Sequence, residues 1–82
     1  MPHYVYIIQS LKDGRYYIGE TSDVNARLSF HNAGRQRSTR SRIPFKLVWV
    51  EVFDTREAAM IREKLIKSWK GGEAFKRLLE GT

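Results

Sequence analysis

Residues 3–20 read HYVYIIQSLKDGRYYIGE. Tyr4, Val5, Tyr6, Ile7 and Ile8 are aromatic or β-branched, and Tyr16, Tyr17 and Ile18 repeat that chemistry after Asp13-Gly14. Side chains of this kind fill a pleated, half-buried surface, so the stretch predicts a β-hairpin. Asp-Gly suits a type I′ turn, because both central residues take positive φ and glycine does so without steric cost. A two-residue turn at Asp13-Gly14 sets Lys12 against Arg15, Ser10 against Tyr17 and Tyr6 against Thr21. Since side chains alternate along a strand, Tyr6 and Tyr17 then share one face of the sheet. That register leaves them four residues apart, roughly 13 Å. A close tyrosine pair therefore requires a wider loop and a shifted register, and a loop wider than Asp-Gly is expected.

After the hairpin, Thr21, Ser22 and Asp23 offer N-cap oxygens, and Val24, Leu28 and Phe30 take helical spacing up to Gly34. The next segment carries Arg35, Arg37, Arg40 and Arg42 among Gln36, Ser38, Thr39 and Ser41, with no apolar anchor, and reads as a basic loop. After Pro44, residues 45–53 are apolar except Lys46 and Glu51, which predicts a third strand covered on both faces. Asp54 and Glu57 have the spacing of a capping box, and Ala58, Ile61, Leu65 and Trp69 fall on one face of a second helix. Gly71-Gly72 ends it, and Ala74, Phe75, Leu78 and Leu79 suggest a short closing helix. The fold class is α+β, in the order β-β-α-β-α-α, with a three-stranded antiparallel or mixed sheet and helices against it.

Eighty-two residues fit one domain with one core, spanning residues 1–82. The absence of cysteine excludes disulfides and thiolate zinc sites. No stretch is long enough to span a bilayer and the start has no charged leader, so a cytoplasmic location and no membrane partner are expected. A formal net charge of +6 favours polyanionic partners, nucleic acid first.

The set of residues resembles the GIY-YIG nucleases. Tyr4-Val5-Tyr6 and Tyr17-Ile18-Gly19 stand where the two half-motifs of that family stand, followed by Arg27 and His31 on the next helix and Glu63 on the last long one. Either tripeptide alone is weak evidence, whereas the ordered set covers nearly the whole chain. The stretch from Ile61 to Trp69 is similar to that of the small stand-alone bacterial members. Two positions depart from the pattern. Tyr4 replaces the glycine of the first half-motif, and Glu20 stands where the relatives that act in excision DNA repair have a lysine.

The resemblance implies a metal-dependent endonuclease, a hydrolase acting on DNA phosphodiester bonds. The implied catalytic set is Tyr6, Tyr17, Arg27, His31 and Glu63, with Glu63 holding Mg²⁺ or Mn²⁺. Tyr6 would activate the water, with Tyr17 sharing or taking that role. A phenol of pKa about 10 needs nearby cations or the metal to act as a base, and Arg27 is a candidate source of that field. Arg27 is also suited to fork onto the phosphate, and His31, four residues on, to donate to a phosphate oxygen or orient Tyr17. Arg35, Arg37, Arg40 and Arg42, with Lys67, are the expected nucleic-acid contacts, to DNA or RNA. A protein partner for targeting is compatible with so small a module.

Pattern alone gives blander readings. Tyr6 and Tyr17 are then ordinary strand residues, Arg27 a surface cation and His31 a helix-dipole partner. Glu63 is an ion-pair partner of Lys67, worth about 0.3–0.5 kcal/mol. It lies beside the apolar stripe, next to Ala59 and Ile66, rather than opposite it. The competing function is a nucleic-acid-binding module that keeps the fold without cutting.

Overall fold

The computed structural model describes residues 2–81; Met1 and Thr82, the two ends of the expected domain, lie outside the described residues. Strand β1 (His3–Ser10) buries Val5 and Ile7 on one side and Tyr6 and Ile8 on the other. It is the central strand: the sheet order is β2-β1-β3, wholly antiparallel, with β2 (Tyr16–Thr21) and β3 (Phe45–Phe53) at the edges. Helix α1 (Val24–Asn32) covers the Tyr6–Ile8 face. Helices α2 (Arg56–Trp69) and α3 (Glu73–Leu79) cover the Val5–Ile7 face. The order β-β-α-β-α-α is the expected one.

The hairpin departs from the type I′ expectation. Leu11 to Arg15 all lie outside the strands, and Gly14 takes a φ of 76° while no non-glycine residue among those described has positive φ. A type I′ turn needs two such residues. The side chain of Ser10 caused the change: its Oγ accepts from the backbone N–H of Lys12 at 3.0 Å and of Asp13 at 3.1 Å. The register is thereby shifted by two residues, to Tyr6 opposite Gly19 and Ile8 opposite Tyr17. The loop is wider than Asp-Gly, as expected, and the parity of the tyrosines is preserved.

Three further expectations are corrected. The strand β3 is an edge strand that leaves Leu47, Val50 and Val52 exposed, since α1 is too short to cover its full length. The N-cap of α2 is Thr55, whose hydroxyl accepts from Ala58 N at 3.1 Å, so Asp54 and Glu57 form no capping box. The buried face of α2 is Ala59 and Ile66, with Arg62 and Glu63 half-buried between them, whereas Ile61 is 70% exposed and Leu65 is exposed too. The reason is Arg62, which donates to both carboxylate oxygens of Glu51 at 2.8 and 3.1 Å and lies over the Trp69 ring. Its stem covers apolar surface while its head pairs with the sheet, which turns the helix away from the Ile61 stripe.

The basic loop carries a short 3₁₀ turn at Arg40–Arg42. It is held by polar anchors rather than apolar ones. Thr39 is fully buried, Ser10 Oγ donates to the Arg42 carbonyl, and Lys12 Nζ donates to the Ser41 carbonyl at 3.2 Å.

Candidate active site

Gly19 makes room for Tyr6. A Cβ at that position would lie 2.5 Å from Tyr6 Oη and 2.7 Å from Cζ, so the phenol lies directly across the backbone of β2. From there Tyr6 Oη reaches His31 Nε2 at 3.0 Å, and the Tyr17 ring lies 6.3 Å from that of Tyr6 and 4.7 Å from His31. The two-residue offset of the register places the tyrosines diagonally, the arrangement in which long side chains on neighbouring strands meet.

His31 is 1% exposed, on the last turn of α1, and both ring nitrogens are engaged. Thr39 Oγ1 donates to the Gln36 carbonyl at 3.4 Å and lies 3.0 Å from His31 Nδ1. The hydroxyl proton being spent on Gln36, Thr39 accepts from Nδ1–H, and Nε2 is left to accept from the Tyr6 hydroxyl; this tautomer is assigned from the network. His31 thus has Tyr6 on one ring nitrogen and Thr39 on the other.

Burial, and secondarily the charge of Arg27, hold the His31 pKa below the ordinary imidazole value. The unfolded chain then binds more protons than the native one below about pH 6.5. Native stability is expected to be level above that value and to fall as pH drops from it toward the lower native pKa. Urea unfolding from pH 8 to pH 5 checks this, with His31→Gln as the control; an unchanged slope in that variant rules out His31 as its source.

Tyr6 is displaced in the direction opposite to that a base requires. Burial raises its pKa well above the ordinary phenol value, Tyr17, Glu63 and Glu20 add to the shift, and Arg27 only partly offsets it. Arg27 does supply a favourable field, as expected, but it is outweighed. Tyr6 is a protonated donor at neutral pH.

Glu63 lies on α2, which packs on β1 and β2 from the other side of the sheet, and its charge acts on Tyr6 across the edge strand. Its side chain is 18% exposed, with Oε2 2.9 Å from Lys67 Nζ. Among the described residues no group of three or more His, Cys, Asp or Glu could hold a metal ion. Glu63 thus offers a single carboxylate. Glu20, in place of the lysine, faces His3 Nδ1 at 3.2 Å and Arg56 Nε at 3.4 Å.

Arg27 is half-buried, with its guanidinium 4.9 Å from the centroid of the Phe30 ring. Arg35, Arg37 and Arg40 are exposed, and none has a carboxylate partner among the described residues. Arg42 differs. It is half-buried, its Nη2 donates to the Tyr16 carbonyl at 3.5 Å, and its Nε lies 3.3 Å from Asp13 Oδ2, close but not aligned for a hydrogen bond. Thr39, the anchor of His31, is not singled out by the sequence, and Gly19, quoted there within the second half-motif, is not marked as a space-maker. A threonine inside an arginine run gives no signal that it is buried.

Similarity to known proteins follows this geometry. The chain is 46% identical over 81 residues to a UPF0213 protein of Haloquadratum walsbyi, covering 98% of this chain and 90% of that one. A UPF0213 protein of Streptococcus pneumoniae is 43% identical over 68 residues, 82% of this chain and 68% of that one. The solution NMR structure of a UPF0213 protein from Bacillus halodurans superposes with a TM-score of 0.61 at 38% identity, over 98% of this chain and 84% of the other. The sequence profile of the GIY-YIG catalytic domain matches residues 2–76, the span that holds both tyrosines, His31 and Glu63, and the chain belongs to the GIY-YIG family.

Proposed function

We propose that this chain is a nucleic-acid-binding module that holds a phosphodiester backbone beside the Tyr6–His31 pair, with Arg35, Arg37 and Arg40 as the clamp. The observation that carries this reading is the Thr39–His31 contact of 3.0 Å, which ties the arginine loop to the tyrosine site. Arg35, Arg37 and Arg40, exposed and without an acidic partner among the described residues, stand on the loop that this contact anchors. DNA is the first partner, RNA the second, and a cytoplasmic site of action belongs to the same reading. No helix among the described residues is long and apolar enough to cross a membrane.

Each phosphate neutralised on duplex DNA contributes about 0.9 to the slope of log K against log salt. Replacing Arg35, Arg37 and Arg40 together with alanine is expected to lower the slope by about 2 to 3 and to weaken binding on every sequence alike. Fluorescence anisotropy across a salt series measures both. An unchanged slope removes the clamp.

Metal-dependent cleavage is a second reading, favoured by the Tyr6–His31 hydrogen bond of 3.0 Å, which anchoring the arginine loop does not need. Glu63 fits a hydrated Mg²⁺ or Mn²⁺ shared with a substrate phosphate, because such ions are often held by one or two carboxylates with the rest of the shell supplied by water and phosphate. The ion, when bound, would stabilise charge on the phosphoryl and leaving oxygens. The remaining steps fall to the chain. The attacking water gives a proton to Tyr6 Oη as the phenol passes its own to His31 Nε2. The water oxygen bonds to phosphorus, and the bond to the leaving oxygen breaks, that oxygen taking a proton from solvent. A neutral His31 makes this relay possible, and it removes the need for a standing phenolate. Tyr17, less buried than Tyr6, would position the water, and Arg27 the phosphate.

A further inference from the structure

A second concavity lies away from the tyrosine site, between the hairpin loop, the end of the basic loop and the junction of α2 with α3. It encloses about 510 Å³ and is walled by Arg15, Arg42, Lys70, Tyr16 and Phe75, with Gly14 and Gly71 at its rim. An adjoining hollow of 420 Å³ shares Tyr16, Gly71 and Phe75 and continues past Leu79. Together they form one groove, cationic at one end and mixed at the other, where Tyr16, Phe75 and Leu79 stand beside Lys76 and Glu80.

The charges at the cationic end are not balanced. Asp13 is the only carboxylate paired with any of the three side chains among the described residues: it lies beside Arg42 and also accepts from the backbone N–H of Arg15 at 2.9 Å. The cations also feel one another: burial first, then Arg42, Arg15 and Lys67, hold the Lys70 pKa below the ordinary ammonium value. Like charges kept together at a pocket wall lose stability unless an anion joins them. Guanidinium groups match a phosphate with two parallel hydrogen bonds, and Lys70 adds a mobile point charge.

The aromatic wall of Tyr16 and Phe75 selects among anions. Tyr16 is braced by Phe75, with ring centroids 5.1 Å apart and planes at 73°, so its ring is fixed and only half-buried. A braced aromatic beside a phosphate site matches the way single-stranded nucleic acid is held, each base stacked on a ring and the backbone on cations. The groove also adjoins the clamp along the chain. Arg42 closes the loop that carries Arg35, Arg37 and Arg40, and Lys70 lies three residues beyond Lys67, the partner of Glu63.

We propose that this groove is a second nucleic-acid subsite, which takes the phosphate of one nucleotide on Arg15, Arg42 and Lys70 and its unpaired base against Tyr16. The inference rests on the nucleic-acid reading above and narrows it. A base still paired and stacked in a duplex has no free face to offer, so the preferred ligand carries a single-stranded segment, such as an overhang or a flap, next to the backbone held by the loop.

The test compares a blunt duplex with the same duplex carrying a six-nucleotide overhang, each titrated into the full chain and into Arg15→Gln/Lys70→Gln. Both residues are exposed, so the variant is expected to fold. The wild type is expected to bind the overhang substrate about tenfold more tightly than the blunt one, with amide shifts at Tyr16 and Gly71, and the variant to lose that advantage while keeping its affinity for blunt duplex. Equal affinity of the wild type for the two substrates overturns the proposal, as does an overhang advantage that survives in the variant. Phosphate alone producing the same Tyr16 shifts as the overhang removes the base contact and overturns it as well. Failure of the broader reading looks different: neither substrate binds at low salt, or the triple loop variant binds both as the wild type does.

Discussion

Gly19→Ala is expected to destabilise the protein by about 3 kcal/mol and to dismantle the tyrosine site. The new methyl group would lie 2.5, 2.7 and 2.9 Å from Oη, Cζ and Cε1 of Tyr6, separations that Cβ atoms do not tolerate. Relief by a small movement is blocked, because the ring is rigid, 2% exposed and tied through its hydroxyl to His31 at 3.0 Å. If the ring stays, overpacking costs about 1–3 kcal/mol. If it moves, His31 Nε2 loses its donor inside the core, at a cost of about 1–3 kcal/mol. Gly19 has an ordinary backbone φ, so the penalty comes from space and not from conformation. Gly14→Ala is the contrasting case: it suffers only from its φ of 76°, with nothing within 4 Å of the added atom. Urea denaturation of Gly19→Ala, alone and combined with Tyr6→Leu, isolates the contact. The alanine should cost at least about 1 kcal/mol less once the ring is gone. Equal costs in the two backgrounds would falsify the assignment of Gly19 as the seat of Tyr6.

Gly19 also marks the limit of what the sequence alone reveals. The alternation of Tyr4, Val5, Tyr6, Ile7 and Ile8 identifies a strand, and parity alone puts Tyr6 and Tyr17 on one face, because a two-residue shift of register cannot change it. The size of that shift was hidden. It depends on the Ser10 hydroxyl capturing two backbone N–H groups, a local competition that Asp13-Gly14 does not announce.

Helix α2 misleads for a comparable reason. Ile61 and Leu65 have the period of a buried stripe, yet the sheet receives Ala59 and Ile66, because Arg62 finds Glu51 on β3 and Trp69 on its own helix. The carboxylate that Arg62 pairs with stands eleven residues earlier, on another element, where the period of the helix carries no sign of it. Glu63 was legible for a sounder reason. Its spacing from Ala59 and Ile66 places it on their side of the helix whichever stripe is chosen, and it is half-buried there. The tie between His31 and Thr39 was not legible, since hydrogen bonds between a helix and a loop leave no periodic trace.

Glu63→Gln is the substitution that separates holding from cutting. If cleavage occurs, Glu63 is the carboxylate available to share an ion with the phosphate, and its loss is expected to lower the cleavage rate at least about a thousandfold. Binding should survive. The amide is nearly isosteric, the ion pair it removes is a half-exposed one with Lys67 at 2.9 Å, and such pairs add at most about 1 kcal/mol to stability. Releasing Lys67 also adds one unit to a surface already at a net charge of +6, so affinity for DNA at low salt should hold or rise slightly. Plasmid nicking and overhang cleavage with Mg²⁺ or Mn²⁺, alongside anisotropy on the same samples, give both quantities. Loss of cleavage with retained affinity supports Glu63 as the metal's carboxylate. Cleavage that persists in Glu63→Gln removes Glu63 from that role. A wild type that binds both substrates and cuts neither leaves the Tyr6–His31–Thr39 chain with a structural part: it fixes the arginine loop over the sheet, and the family fold is then used for recognition alone.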